Sequence, residues 1–219
     1  MIFALLQPVA LIGLLLGFAV SVVLRAVVQH LVARRGPYAR RQRLFDPRRD
    51  IDVFGVVAAV LGGTGWGKRA TDPGGGWPRI SVLVSGPIAV LVASQLAFAA
   101  YRFSGGSPLL LELYAASDVF RGIPTGTAVE KFLLSFAVSL LCFGLLALVP
   151  LPPLDGWGML ARRAGSRPSP GFARAQHWLD EQNIGVVILL VGLVIPLAGG
   201  PLFLFLLNIV TAPVFALWA

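Results

Sequence analysis

Long apolar segments separated by polar loops dominate the pattern of hydrophobic and polar positions along this chain. The four longest cover residues 2–33, 80–101, 128–150 and 184–218. A hydrocarbon core of about 30 Å needs roughly 20 apolar residues in a helix, so each of the four is long enough to cross a membrane. Pro196 and the sequence Gly199-Gly200-Pro201 interrupt the last segment. We predict that it forms a tight hairpin of two short helices, with one kinked span as the alternative.

A fifth apolar stretch, residues 53–63, is too short for an ordinary span. It ends in Gly62-Gly63-Thr64-Gly65-Trp66, and we predict a re-entrant or interfacial piece, because irregular backbone at membrane depth must be covered by protein or water. The whole pattern predicts an all-α polytopic membrane protein. We expect a single transmembrane domain over residues 1–219, with about 4–6 membrane segments and this one short piece.

Composition and charge support a membrane protein and orient it. Apolar residues make up 57% of the chain and charged residues 13%, about half the charged share of an ordinary soluble domain. Arginine is in strong excess in the loops at 34–50 and 162–174. Because basic loops stay in the cytoplasm, we predict cytoplasmic arginine-rich loops and an N-terminus outside. Arginine far outnumbers lysine, which favours a bacterial source and hence the bacterial cytoplasmic (inner) membrane.

The net charge of +8 is interpreted as topological, because most basic residues lie in loops between apolar segments. A nucleic-acid partner is therefore not expected. Recognition of anionic lipid at the cytoplasmic face is a further role that the arginine loop would allow, at about 1 kcal/mol for each basic side chain near the surface.

Five short sequence blocks follow one another in an order that matches a known family. The first is the end of the first apolar segment, Arg25-Ala26-Val27-Val28-Gln29-His30, which continues to Arg35. The other four are Asp46-Pro47-Arg48-Arg49-Asp50-Ile51-Asp52-Val53-Phe54-Gly55, Gly65-Trp66-Gly67-Lys68, Gly86-Pro87-Ile88-Ala89-Val90 and Pro150-Leu151-Pro152-Pro153-Leu154-Asp155-Gly156.

Through these blocks the chain resembles the site-2 protease family of intramembrane zinc metalloproteases, particularly its small bacterial members, over nearly its whole length. The resemblance implies a site-2-protease-like transmembrane core. It further implies a zinc ion held by two histidines and one aspartate, with a glutamate as general base. The family carries these groups in a His-Glu-x-x-His helix and a Pro-x-Pro-Pro-Leu-Asp-Gly block.

The positions that would carry this chemistry depart from the family pattern. Ala26 and Val27 stand where the first histidine and the glutamate are expected, and only His30 and Asp155 remain as vestigial ligand positions. The glycines and prolines that shape the backbone are kept, which is the pattern expected when a fold is retained and catalysis is lost. Three further polar positions of the family are also replaced, by Asp50, Val90 and Ala147.

Catalytic zinc usually takes three protein ligands, so His30 and Asp155 alone would hold it weakly. On this basis neither a catalytic residue nor a cofactor is expected. The alternative is an active intramembrane zinc metalloprotease with a rearranged metal site, in which Asp50, Asp52 or His177 joins the two remaining ligands. A transporter or channel is disfavoured, because the predicted spans contain very few ionisable residues.

Arg25 is unusual because it lies within the apolar segment, about 13 Å along the helix from Arg34. The favoured interpretation is that its side chain snorkels to the cytoplasmic interface. The alternative is an ion pair with Asp155 that replaces the charge of the lost metal, because a buried carboxylate needs a partner. The helical position argues against the pair, since Arg25 lies about 100° around the helix from Ala26.

We therefore expect a catalytically inactive pseudoprotease, and the balance leans against an enzyme. Its expected role is that of a binding, assembly or regulatory subunit for another integral membrane protein. A groove that would hold an unwound substrate helix in the family would here retain a partner without cleaving it. The candidate contacts are Phe54 and Gly55 in the short apolar piece and Gly86, Pro87 and Val90, where a helix is expected to start at Gly86-Pro87.

Overall fold

The computed structural model describes residues 1, 4–34, 44–68, 78–165, 168–197 and 200–219. The first residues of the predicted first span, most of the arginine loop at 35–43 and residues 198–199 of the last segment lie outside these ranges. The helices are α1 Pro8–Ala33, α2 Pro47–Asp50, α3 Val53–Gly62, α4 Ile80–Phe103, α5 Pro108–Leu113, α6 Ala116–Phe120, α7 Ala128–Ala147, α8 Asp155–Ala164, α9 Pro170–Gln176, α10 Ile184–Val194 and α11 Leu202–Trp218.

The chain is an all-α protein with several helices long enough for a membrane. Helices α1, α4 and α7 are long and apolar enough to cross one, and the bent pair formed by Pro170–Glu181 and α10 raises the number to four if it counts as one span. Helices α3 and α11 are shorter apolar helices. The described part of the chain thus confirms the coarse sequence prediction of an all-α membrane protein.

Small residues bring α1 and α7 into close contact. A side chain at Gly13 would place its Cβ 2.6 Å from the Phe132 carbonyl oxygen, and one at Gly17 would place it 2.6 Å from Ser139 Cβ. The Ser139 hydroxyl donates a hydrogen bond to the Leu14 carbonyl oxygen at 3.0 Å. Small residues four apart allow backbones to approach in membrane helix pairs, where packing rather than hydrophobic burial drives association.

The segment from Ile51 to Gly67 is a hairpin of helix α3 and an irregular return segment, residues 63–67. Asp52 caps α3, accepting hydrogen bonds from the backbone nitrogens at 54 and 55. The return segment lies so close to the start of α3 that a side chain at Gly55 would collide with the Trp66 backbone. Ile51 and Gly67 form an antiparallel bridge. The chain therefore enters and leaves this hairpin at the same end, which is the geometry that a re-entrant piece requires.

Helix α4 corrects one sequence expectation. It begins at Ile80, and Pro87 is its eighth residue, so the expectation that Gly86-Pro87 starts a helix is wrong. Proline is usually excluded from helix interiors because it lacks an N–H donor and crowds the preceding turn. Prolines nevertheless occur inside membrane helices, where neighbouring helices, side chains or local changes of the helix can satisfy the freed backbone groups.

The C-terminal third consists of short helices joined by sharp changes of direction. A π-helical turn, His177–Glu181, follows α9, and the axis then bends by 64° into α10. Two-residue strands, β1 Pro196–Leu197 and β2 Gly200–Pro201, pair in antiparallel fashion before α11 begins. Helix α11 packs on α4, where Trp218 donates a hydrogen bond from Nε1 to Gln95 Oε1 at 2.9 Å.

Candidate functional site

A buried ion pair joins the C-terminal half of α1 to the start of α8. Arg25 Nη2 lies 2.6 Å from Asp155 Oδ1, and Arg25 Nε lies 2.7 Å from Asp155 Oδ2. The two residues are 4% and 1% exposed. The guanidinium therefore engages both carboxylate oxygens, the two-pronged geometry that gives such pairs their strength and specificity.

Two further groups complete the network around the pair. Gln29, one helical turn after Arg25, donates from Nε2 to Asp155 Oδ2 at 3.1 Å. Arg25 Nη1 donates to the Lys68 carbonyl oxygen at 3.1 Å. Arg25 thus links α1, α8 and Lys68, the residue that follows the hairpin.

Glycine on α4 makes room for this network. A Cβ atom at Gly86 would lie 2.8 Å from Arg25 Cγ and 2.9 Å from Gln29 Nε2. Asp155 is the first residue of α8. A carboxylate at the N-terminus of a helix is stabilised by the helix dipole, which adds to the attraction of the guanidinium.

The structure does not support the favoured interpretation of Arg25. The side chain points into the protein rather than toward an interface, so the snorkelling interpretation is wrong, and the alternative contact with Asp155 is present. The objection from helical position fails because a long, flexible arginine side chain reaches beyond the direction of its own Cα. Gly86 leaves the necessary space on the facing helix.

His30 belongs to a different cluster, at the junction of α1 and α2. Its Nε2 lies 3.1 Å from Asp50 Oδ1 and 2.7 Å from a guanidinium nitrogen of Arg49. Burial works against ionisation of Asp50. Hydrogen bonds from the Asp46 backbone nitrogen and from the His30 and Arg49 side chains outweigh burial and lower the pKa of Asp50.

The described residues do not fit a catalytic zinc site. His30 and Asp155, the two ligand positions that the predicted resemblance would retain, have separate partners. Asp52 caps α3 and accepts a hydrogen bond from Trp66 Nε1 at 3.2 Å, while His177 pairs with Glu181 at 2.7 Å on the surface. Within the described ranges, no three His, Cys, Asp or Glu side chains form a group that could hold a metal. We therefore derive no hydrolytic step through zinc.

Comparison of the chain with family models, with curated proteins and with solved structures found no match. The resemblance to site-2 proteases thus stays a prediction that rests on the sequence blocks.

The groove candidates divide into buried and exposed positions. Gly55, Gly86, Pro87 and Val90 are buried within the chain, so a partner does not reach them in this conformation. Phe54 is 57% exposed and lines an open cleft of about 810 Å³. The cleft lies between the 47–54 region and α10, and we call it the α2–α10 cleft. It is lined by Pro47, Arg48, Ile51, Asp52, Val53, Phe54, Lys68, Pro153, Asn183, Val186, Val187 and Leu190.

Sequence reasoning missed three features: Gln29, the Lys68 carbonyl oxygen and the α2–α10 cleft. Gln29 was not identified as a partner of Asp155, although its position four residues after Arg25 places both on one face of the helix. The Lys68 carbonyl oxygen is a backbone group and leaves no trace in the sequence. The α2–α10 cleft also depends on how two distant segments pack, which residue patterns do not encode.

Proposed function

We propose that this protein is a catalytically inactive, site-2-protease-like membrane protein that acts as a binding, assembly or regulatory subunit for another membrane protein. The observation that supports it is the contact of Asp155, the aspartate that the resemblance assigns to zinc, with the Arg25 guanidinium. A positive side chain thus stands beside the carboxylate that a metal would use. Ala26 and Val27 supply neither a ligand nor a base.

Electrostatics explain why this arrangement disfavours a metal. A zinc ion at Asp155 would have to displace the guanidinium or bind beside a charge of its own sign. Displacement would leave Arg25 buried without its partner, and breaking a buried pair in this way costs about 3–5 kcal/mol. The same pair neutralises the Asp155 carboxylate and occupies both of its oxygens without a metal ion.

Two short helices offer a surface for the partner. Helices α3 and α10 contain 10 and 11 residues, so each is only about 15–17 Å long, roughly half of a hydrocarbon core. Apolar helices shorter than the bilayer thin it, or associate with other helices. Both helices carry exposed apolar residues, which we call the α3–α10 face: Val57, Val60, Leu61, Val191 and Val194.

The proposal places the protein in the bacterial cytoplasmic membrane with its N-terminus outside and its arginine-rich loops in the cytoplasm. This orientation rests on the distribution of arginine in the sequence. It puts the network around Asp155 near the cytoplasmic side and the α3–α10 face along the hydrocarbon core.

Zinc content tests the inactive site. We expect detergent-purified protein to contain no zinc above the background measured for Asp155→Asn, because the guanidinium of Arg25 holds the only aspartate that the resemblance assigns to the metal. Elemental mass spectrometry of both proteins, prepared without chelator, provides the measurement. Near-stoichiometric zinc that disappears in the variant would instead establish the alternative, an active metalloprotease with a rearranged site.

Site-specific crosslinking tests the partner surface. A photoreactive residue at Val57 or Val191 is expected to crosslink to a membrane protein in its native membrane, at a yield that chelator does not change. Leu16 on α1, 47% exposed, is the matched apolar control and is expected to give a lower yield of that product. Equal products from all three positions would contradict a dedicated α3–α10 face.

A further inference from the structure

We infer that the α2–α10 cleft binds the headgroup region of a single anionic phospholipid. This inference needs the protein to lie in a membrane but does not depend on the pseudoprotease proposal. The site differs from the arginine loop considered in the sequence analysis, because it has a defined cavity with its own walls. Its volume of about 810 Å³ falls within the range of about 300–1,000 Å³ that is typical of small-molecule sites.

The cleft exists because α3 and α10 meet at one end and separate at the other. At their C-terminal ends they are in contact, where a side chain at Gly62 would collide with the Leu193 backbone. Toward their N-terminal ends the space between Phe54 and Val187 stays open. Both residues are more than half exposed, at 57% and 55%. The cleft therefore opens sideways between two apolar helices, which is the route by which a lipid would enter.

Charge at the other end of the cleft favours an anion. Arg48 and Lys68 both line it and are exposed. Among the residues that the structure describes, neither side chain forms an ion pair. The carboxylate of Asp52 is already engaged with α3 and with Trp66 Nε1, which limits its repulsion of an incoming phosphate. Two cations thus face one carboxylate that is hydrogen-bonded elsewhere.

The order of chemistry along the cleft selects a lipid over a soluble anion. Arg48 lies on α2, and Lys68 lies beside it, since the Lys68 backbone nitrogen donates to the Asp50 carbonyl oxygen at 2.9 Å. On this side of the cleft the two cations would contact a phosphate. The apolar end is formed by Val53, Phe54 and Val187, which would contact the upper parts of acyl chains. A small soluble anion would use only the first part and leave the apolar walls without a ligand, so a lipid fits the whole site better.

Native mass spectrometry of the protein in detergent, with phosphatidylglycerol or phosphatidylcholine of the same acyl chains, tests the inference. We expect one phosphatidylglycerol to bind more tightly than phosphatidylcholine. Replacing both cations, Arg48→Gln with Lys68→Gln, should weaken phosphatidylglycerol about 30-fold, or about five-fold for each side chain. Val187→Trp, which fills the apolar end without changing charge, should weaken both lipids.

A control pair removes the same charge from the same predicted side of the membrane. Arg163→Gln with Arg174→Gln, at two exposed positions on α8 and α9, is expected to leave phosphatidylglycerol binding unchanged. Equal affinity of the unmodified protein for the two lipids would overturn the inference. So would an equal loss of phosphatidylglycerol affinity in the cleft double variant and in this control double variant. Displacement of the lipid by inorganic phosphate would instead assign the site to a soluble anion.

Discussion

Replacing Arg25 with methionine should destabilise the protein by about 3–5 kcal/mol, the cost expected when one partner of a buried ion pair is removed. The loss arises because Asp155, 1% exposed, would remain buried without its cation, and among the described residues Gln29 would be its remaining side-chain donor. The same substitution also frees the Lys68 carbonyl oxygen. Equilibrium unfolding in mixed detergent micelles gives the free energy for the unmodified and substituted proteins.

Two matched variants separate the charge pair from simple loss of packing. Arg25→Lys should lose part of this stability, because an ammonium is a point charge and cannot engage both carboxylate oxygens as a guanidinium does. Arg25→Met combined with Asp155→Leu should recover much of the loss, since apolar residues can replace a buried pair without penalty. A cost below about 1 kcal/mol for Arg25→Met, typical of an exposed pair, would contradict the network.

Gly17→Leu should separate α1 from α7 and cost at least about 1–3 kcal/mol, the usual penalty for overpacking. We expect a loss at or above the top of this range, because the first added carbon already lies 2.6 Å from Ser139 Cβ. Separation would also weaken the hydrogen bond from Ser139 to the Leu14 carbonyl oxygen, worth about 1 kcal/mol. The same unfolding measurement applies.

The sign of a smaller substitution provides the sharper test at this interface. On an exposed helix, glycine to alanine is stabilising by about 0.5–1 kcal/mol. At Gly17 we expect the opposite sign, because helix packing leaves no room for Cβ. Val20→Leu is the control: Val20, also on α1, is 39% exposed, so this substitution should change stability little. Stabilisation by Gly17→Ala would show that α1 and α7 pack less closely than described.

The long helices could be predicted from the sequence because an apolar segment of sufficient length has few ways other than a helix to satisfy its backbone hydrogen bonds in a membrane. The runs at 80–101 and 128–150 correspond to α4, Ile80–Phe103, and α7, Ala128–Ala147. The four-residue spacing of Gly13 and Gly17 is likewise a local signal, and both positions lie against α7. Both signals are local and repeat along one helix, which is why the sequence displays them.

The site was harder to predict because it depends on where distant residues meet. The pair of Arg25 with Asp155 joins residues 130 positions apart, and its geometry requires the space beside Gly86. Helical angle alone placed the arginine on the wrong side, since it ignored the reach of the side chain. Gly86 and Pro87 were expected at a helix start, a position that proline favours, whereas α4 begins at Ile80 and continues through Pro87.

The network around Asp155 has an evolutionary consequence under the proposed function. Ala26→His and Val27→Glu would give the chain the His-Glu-x-x-His sequence of the family. A zinc ion would still lack access to Asp155, because Arg25 would remain paired with it. Removing Arg25 first would pass through an intermediate with an unpaired buried carboxylate and a less stable fold. If the protein descends from a zinc protease, regaining a metal site would therefore need at least three coordinated changes, at Arg25, Ala26 and Val27.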